Sequence, residues 1–330
     1  MRKTIISVLA MGICAMSVLA GTSCKSNASR ESATTQEKTE KRDPSKRFGG
    51  FKIDKSGDTT LQAMIKEIVP KFKQYKYMVP GTDEVIEYNL YTPEKIESGK
   101  KYPLVMFVAD ASTVDKEVTV PLTQGYGALV WATPESQAEN PCFVLVPQMS
   151  RGVTNDKYGH SKQVDDVVGL VRQIATDYPI DSDCLYSTGQ SMGGMMAMYY
   201  DVAYPDLFAA SIFVDSHWDE ATFPELVKHK FVWFIAGDGG KAYPKLKPLE
   251  EAAEKEGIQY TFSEWSAKLP EARQNELASN MLAKGAPVNI IEFETGSVLP
   301  EGVKGMDHMY SFDYAYKIKA VRDWLFRQTK

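Results

Sequence analysis

The sequence predicts an α/β fold in which a mostly parallel central sheet carries helices on both faces. Two observations support this prediction. Short, continuously apolar runs of the kind that form buried parallel strands recur along the chain, and segments with the apolar spacing of helices separate them. Strands alternating with helices of roughly 10 to 16 residues are typical of parallel sheets, because each parallel pair needs a crossover connection.

Each predicted element has its own local signal. Strands are expected at 85–91, 102–108, 142–147, 185–188, 209–214, 230–236 and 288–293. Helices are expected at 164–178, 192–204, 246–255 and 312–328. Stop signals at Pro179, Pro205 and Gly257 follow the first three helices.

One segment, at about 243–287, is longer than a simple helical crossover. It carries the aromatic residues Tyr260, Phe262 and Trp265. Two interpretations stay open for this insertion. It is a lid or pocket wall, or it is an extra packed helix pair.

Composition and charge exclude several classes of protein. The chain has 330 residues, of which 43% are hydrophobic and 25% charged, close to globular averages, so disordered, collagen-like and coiled-coil structures are not expected. The formal net charge of −5 disfavours binding to a phosphate backbone, so no nucleic-acid partner is predicted. Residues 49–330 are expected to form a single folded domain.

The N-terminus has the pattern of an export signal. Arg2 and Lys3 precede an apolar run over 4–20, which is short for a transmembrane span, so residues 1–24 are read as a signal peptide. Two processing sites compete. Cleavage after Ala20 fits the small-residue rule, whereas Cys24 resembles the lipidated cysteine of bacterial lipoproteins, with Gly21 at the position that is usually aliphatic. Either way, we expect an exported protein, secreted or periplasmic, or anchored to a membrane only through Cys24.

Residues 25–48 are predicted to be a flexible polar tether. Almost no apolar side chains occur in this stretch, so it cannot bury enough surface to offset the entropy of ordering. A tether directly after Cys24 suits a folded domain held at a membrane surface.

The motif that indicates catalysis is Gly189-Gln190-Ser191-Met192-Gly193, a G-x-S-x-G sequence between a predicted strand and a predicted helix. Glycines are needed there because the serine occupies a strained turn that lies close to neighbouring chain. Ser191 is therefore the predicted nucleophile.

A serine nucleophile needs a general base and a carboxylate that orients it. His308 lies after the last predicted strand, where the chain order serine, acid, histidine requires the base, and His217 is better read as a pocket-wall or surface residue. The acid is expected at Asp238, after the predicted strand 230–236. Asp215, which follows the preceding strand, is the alternative.

The oxyanion of the tetrahedral intermediate needs backbone N–H donors that are fixed in advance. The Met192 N–H, directly after the nucleophile and at a helix start, is the first expected donor. The second is expected from the loop after the strand 102–108. No metal site or cofactor is predicted from the spacing of cysteines, histidines and glycines.

Several segments together resemble a known group of enzymes. These are Tyr102 to Phe107, Asn140 to Gln148, Tyr178 to Asp181, the GQSMGG turn and Tyr204 to Ala210. They resemble the secreted α/β-hydrolase esterases related to polyhydroxybutyrate depolymerases and feruloyl esterases, which border on the prolyl-oligopeptidase-like hydrolases. The resemblance covers about residues 76–328 and implies the α/β-hydrolase fold and ester hydrolysis by Ser191 and His308.

The resemblance also locates the second oxyanion donor. The usual His-Gly pair after the first core strand is here Ala109-Asp110, so Ala111 is implied as the donor, with the Asp110 charge near the developing oxyanion. The predicted function is an exported serine esterase acting on a small-molecule or polysaccharide-linked ester. The alternatives are a prolyl-oligopeptidase-like peptidase and a catalytically silent binding lipoprotein.

Overall fold

The computed structural model describes residues 53–236, 245–303 and 307–330. The predicted signal peptide, the tether and Cys24 lie outside the described residues, and so does Asp238. Among the described helices, none combines the length and apolar character needed to cross a bilayer.

Nine strands of the described residues form one sheet in the order β1-β2-β4-β3-β5-β6-β7-β9-β8. They are β1 (Lys73–Met78), β2 (Val85–Tyr91), β3 (Tyr102–Val108), β4 (Phe143–Pro147), β5 (Ile180–Gln190), β6 (Ala210–Val214), β7 (Phe231–Ala236), β8 (Tyr260–Trp265) and β9 (Val288–Phe293). β1 pairs antiparallel with β2, and β2 antiparallel with β4, while all other neighbours are parallel. The predicted mostly parallel sheet is confirmed, and the carboxyl ends of β3, β5, β6 and β7 meet at one edge.

Helices cover both faces of the sheet. The described α-helices are α1 (Thr59–Ile68), α2 (Val120–Thr123), α3 (Tyr126–Leu129), α4 (Pro134–Glu139), α5 (Lys162–Asp177), α6 (Met192–Ala203), α7 (Phe223–Leu226), α8 (Leu246–Glu256), α9 (Glu271–Leu282), α10 (Asp307–Lys317) and α11 (Lys319–Phe326). The last two replace the single helix predicted at 312–328. The helix is interrupted at Ile318, whose backbone is extended with a ψ of 95°.

The segment predicted as an insertion contains α8, β8 and α9. β8 pairs with β9 over its whole length and extends the sheet by one parallel strand. The helix-pair interpretation is therefore incomplete, because the segment contains a strand between its two helices. The strand escaped prediction because β8 is an edge strand that alternates buried and exposed side chains and is not continuously apolar.

The core consists of apolar layers on the two faces of the sheet. On one face, β3 and β4 pack against α3, α10 and α11, with Trp131 and Phe107 fully buried. On the other face, α5 and α6 cover β3 to β6, and α7 and α8 cover β6, β7 and β9. These layers fix the strand ends from which the candidate site is built.

Candidate active site

Ser191 lies at a sharp turn between β5 and α6. Its backbone has a φ of 50° and a ψ of −117°, a combination that costs free energy for any residue other than glycine. The Ser191 N–H donates to the carbonyl oxygen of Val214 over 3.0 Å, which fastens the turn to the end of β6. The G-x-S-x-G turn thus has the strand before it and the helix after it that its sequence predicts.

The glycines of the turn are required by close approach of the backbone. A Cβ atom at Gly193 would lie 2.0 Å from the carbonyl oxygen of Val108, and one at Gly189 would lie 2.3 Å from the carbonyl carbon of Gly193. Real Cβ atoms do not come so close to backbone. The start of α6 therefore sits directly against the end of β3.

His308 contacts the serine from the first turn of α10. Its Nε2 lies 3.0 Å from the Oγ of Ser191, and its ring packs edge-on against Phe312 with ring centroids 5.1 Å apart. This is the hydrogen bond that a serine and its general base need. The structure thus brings the predicted nucleophile and the predicted base together.

The carboxylate beside His308 belongs to Asp215. Its Oδ2 lies 2.5 Å from Nδ1 of His308, and its Oδ1 accepts the N–H of Ala236 over 3.1 Å. The side chain is buried, and the backbone of Asp215 has a φ of 41°, in the left-handed region. Asp215, Ser191 and His308 form a continuous hydrogen-bonded chain.

This contact favours Asp215, the alternative acid, over Asp238 as the residue that orients the histidine. Asp238 itself lies outside the described residues, and Nδ1 of His308 is occupied by the alternative acid, Asp215. The physical reason is that β6 and β7 are parallel neighbours whose carboxyl ends lie side by side. A carboxylate after either strand can reach the same edge.

The two expected oxyanion donors, Met192 and Ala111, lie on neighbouring segments at the ends of β5 and β3. Met192 opens α6, and Ala111 opens a single 3-10 turn, Ala111–Thr113, just after β3. Among the described residues, neither the Met192 N–H nor the Ala111 N–H has a hydrogen-bond acceptor. Two unpaired donors on segments that touch at Gly193 suit a developing oxyanion.

Comparisons with known proteins agree with this architecture. Residues 153–261 match the family model for the prolyl oligopeptidase family of peptidases. No curated protein sequence matches the chain. A thermostable esterase of known structure is 24% identical, with a TM-score of 0.65 over 80% of this chain and 64% of that chain. The present chain therefore spans less than two thirds of that esterase.

Two further structures are similar over most of the chain. A protein abbreviated FAE is 12% identical, with a TM-score of 0.52 over 78% of this chain and 88% of that one. A ferulic acid esterase is 13% identical, with a TM-score of 0.49 over 78% of this chain and 98% of that one. The chain has the α/β-hydrolase fold. The resemblance that the sequence indicated is thereby confirmed at the level of the fold.

Asp110 precedes Ala111, the expected second oxyanion donor, and is buried. Its Oδ1 accepts the Ser112 N–H over 2.7 Å, and its Oδ2 accepts from the side-chain amides of Gln190, over 3.1 Å, and Gln124. Three donors thus compensate the charge that the sequence placed close to the oxyanion. Sequence reasoning missed both glutamines, although Gln190 is part of the G-x-S-x-G motif.

Aromatic side chains pack near His217, two residues after Asp215. His217 is buried, and the ring of Tyr158 packs edge-on against His217 and Trp218 with centroids 6.0 and 5.8 Å apart. The Nζ of Lys245 lies 5.5 Å from the Tyr158 ring centroid. The pocket-wall interpretation of His217 fits these contacts, but the sequence carried no signal for Tyr158 or Lys245.

The described residues show no cluster of three or more histidine, cysteine, aspartate or glutamate side chains that could bind a metal ion.

Cys142 and Cys184 are both free thiols, and burial raises the pKa of Cys142 to about 12. A thiol with so high a pKa is a poor nucleophile, so Cys142 acts as a small apolar side chain.

Proposed function

We propose that the protein is an exported serine hydrolase that cleaves carboxylic esters through Ser191, His308 and Asp215. The observation that carries the proposal is the hydrogen-bonded chain from Asp215 through His308 to Ser191, at 2.5 and 3.0 Å. The similar thermostable esterase shares the fold and supports this reaction class by analogy.

The reaction begins with acylation of the enzyme. The Oγ of Ser191 attacks the ester carbonyl while Nε2 of His308 takes the hydroxyl proton. The Met192 and Ala111 N–H groups stabilise the oxyanion. The intermediate collapses when Nε2 returns the proton to the leaving alcohol.

Deacylation repeats these steps with water. His308 removes a proton from the attacking water and then donates it to Ser191 as the acid product leaves. Throughout, Asp215 accepts the Nδ1–H and stabilises the imidazolium, which keeps Nε2 free to accept the serine proton.

Labelling with a fluorophosphonate tests the proposal directly. We expect a stoichiometric adduct at Ser191 and hydrolysis of chromogenic esters from acetate to octanoate and of methyl ferulate. Ser191→Ala is the control, which should abolish both signals while leaving the folded state intact. A wild-type chain that neither reacts nor hydrolyses any ester in the panel would instead support the catalytically silent binding protein.

A peptidase is the second candidate, favoured by the match of residues 153–261 to the prolyl oligopeptidase family. The same catalytic side chains cleave amides, but the leaving amine must be protonated more fully than an alcohol. Paired ester and anilide substrates with the same acyl group separate the two functions. We expect kcat/KM to be far higher on the ester. The reverse order would make the protein a peptidase.

The proposed export leaves two processing sites open, lipidation at Cys24 and cleavage after Ala20. Lipidation of Cys24 predicts that the full chain fractionates with membranes and that Cys24→Ser releases it. The unlipidated alternative predicts cleavage after Ala20 and a soluble distribution of both forms. Mass spectrometry of the mature N-terminus distinguishes the two processing sites.

A further inference from the structure

We propose that Asp110 is a positioning residue that aims the Ala111 N–H at the oxyanion. The inference rests on the proposed esterase function and names a residue that the hydrolytic steps themselves do not require. Its basis is a set of contacts around a buried carboxylate at the end of β3.

Asp110 caps the 3-10 turn Ala111–Thr113, because its Oδ1 accepts the Ser112 N–H and its carbonyl oxygen accepts from the Thr113 N–H and hydroxyl. A side chain that captures the N–H two residues ahead fixes the peptide planes between them. The plane that carries the Ala111 N–H lies inside this closed turn, so its direction depends on the Asp110 side chain.

Two glutamine amides hold the second oxygen of the Asp110 carboxylate. Oδ2 accepts from the amides of Gln190 and Gln124, and the Gln190 amide also donates to Oε1 of Gln124 over 3.1 Å. Gln190 immediately precedes the nucleophile. The two oxyanion segments are therefore tied to each other by side chains, in addition to the backbone packing at Gly193.

The backbone of Gln124 is itself held in place by Lys55. Lys55 donates to the Gln124 carbonyl over 2.9 Å and forms an ion pair of 2.6 Å with Asp313 of α10. Asp313 also accepts the N–H of Tyr126 over 3.1 Å. Because α10 carries His308, the network joins the oxyanion turn, the residue before the nucleophile and the helix of the general base.

The Asp110 side chain is a shared acceptor that alanine cannot replace. Its two oxygens accept three N–H groups inside the protein, where a donor left without an acceptor costs free energy. Alanine at this position would leave the donors of Gln124, Gln190 and Ser112 without their shared acceptor. The turn would then be free to rotate the Ala111 N–H away from the oxyanion.

The test compares Asp110→Ala with Asp110→Asn on a p-nitrophenyl ester and on a trifluoromethyl ketone, whose tetrahedral adduct carries the oxyanion. For Asp110→Ala we expect kcat to fall about 100- to 1000-fold, as it does when one oxyanion donor is lost, with KM nearly unchanged. Affinity for the ketone should fall in parallel. Asp110→Asn should keep kcat within about tenfold, because its amide oxygen can still accept the Ser112 N–H and the glutamine amides can turn.

A matched control is available at Asp219. It caps the 3-10 turn Glu220–Thr222 in the same manner, with its carboxylate accepting the Ala221 N–H over 3.0 Å. Asp219→Ala should lower the melting temperature slightly and leave kcat and ketone affinity unchanged. This control separates the loss of a cap from the loss of an aimed donor.

Gln124→Met keeps the inference testable if Asp110→Ala does not fold. It removes one donor to Oδ2 from a half-buried position, and we expect kcat to fall several-fold with KM unchanged. An active wild-type enzyme whose Asp110→Ala or Gln124→Met variant keeps full kcat and ketone affinity would overturn the positioning role and leave the proposed function standing. A wild-type chain without ester turnover would overturn both.

Discussion

The carboxylate of Asp215 lies 2.5 Å from Nδ1 of His308, although 93 positions of the chain separate the two residues. Each of these two side chains is also held by contacts of its own. The second oxygen of Asp215 accepts the Ala236 N–H, and the His308 ring is held by Ser191 and Phe312. The imidazole is therefore oriented before any substrate arrives, which is the condition for general-base catalysis by histidine.

The first prediction assigns the acid. Asp215→Asn should lower kcat on an activated ester by about three to four orders of magnitude, because an amide at this position favours the wrong imidazole tautomer. Asp238→Asn is the comparison and should stay within a few-fold of wild type. Both variants are assayed on the same ester at neutral pH. The opposite ranking of the two variants would return the role of acid to Asp238.

Much of this site could be predicted from the sequence, because the nucleophile and the base have local signals. The G-x-S-x-G turn needs its glycines for close approach, and it lies between the buried end of a strand and a mostly apolar helix. His308 followed from the order of residues along the chain. The acid had no such signal, since Asp215 and Asp238 follow two adjacent parallel strands and only their three-dimensional placement decides between them.

The limits of the fold prediction have a similar cause. β1 and β8 were missed because both are edge strands with exposed polar side chains, so neither shows the continuous apolar run of a central strand. The hydrogen-bond network of Asp110 could not be predicted from the sequence either. It joins glutamines 66 positions apart, and a glutamine carries no local signal for such a contact.

The second prediction concerns backbone strain at Ser191. At a φ of 50° and a ψ of −117°, glycine is far less strained than any residue with a Cβ. Ser191→Gly should therefore be more stable than Ser191→Ala by about 1 kcal/mol, even though glycine gains more entropy on unfolding. Urea denaturation of the two inactive variants measures the difference. An alanine variant as stable as the glycine variant would mean that the turn relaxes when the hydroxyl is removed.

The third prediction concerns the contact between α6 and β3. Gly193→Ala would place a Cβ atom 2.0 Å from the carbonyl oxygen of Val108, so backbone must move. We expect a loss of about 1–3 kcal/mol in stability and at least a 100-fold loss in kcat, because the shift changes the distance between Met192 and Ala111.

Gly57→Ala is the control for that experiment, since no atom lies within 4 Å of the position of its added Cβ. It should leave both kcat and stability within experimental error of wild type. Thermal unfolding and ester turnover on the same preparations provide both values. Wild-type turnover in Gly193→Ala would contradict the close packing of the two oxyanion segments.

The last prediction follows from a buried carboxylate on α6 that the proposed reaction does not use. Asp201 is only 3% exposed, and its Oδ1 accepts the Ser211 hydroxyl over 2.8 Å, while its Oδ2 has no hydrogen-bond partner among the described residues. Burial raises the pKa of Asp201 from 3.8 to about 8. At neutral pH the folded protein therefore holds a proton here that the unfolded chain has released.

The sign of the effect on stability follows from that extra proton. Its contribution to stability is fully present below the unfolded pKa and is lost as pH rises through the folded pKa of about 8. The free energy of unfolding should fall between these limits by at most about 1.4 kcal/mol per pH unit. Burial and the adjacent Glu264 raise the pKa of Glu292 to about 7, which adds a pH dependence of stability with the same sign.

Urea denaturation from pH 5 to 9 measures the total pH dependence, and Asp201→Asn should remove about half of the slope below pH 7. Asp206→Asn, at an exposed position after the same helix, should leave the slope unchanged. A slope that Asp201→Asn does not reduce would show that Asp201 is ionised in the folded protein.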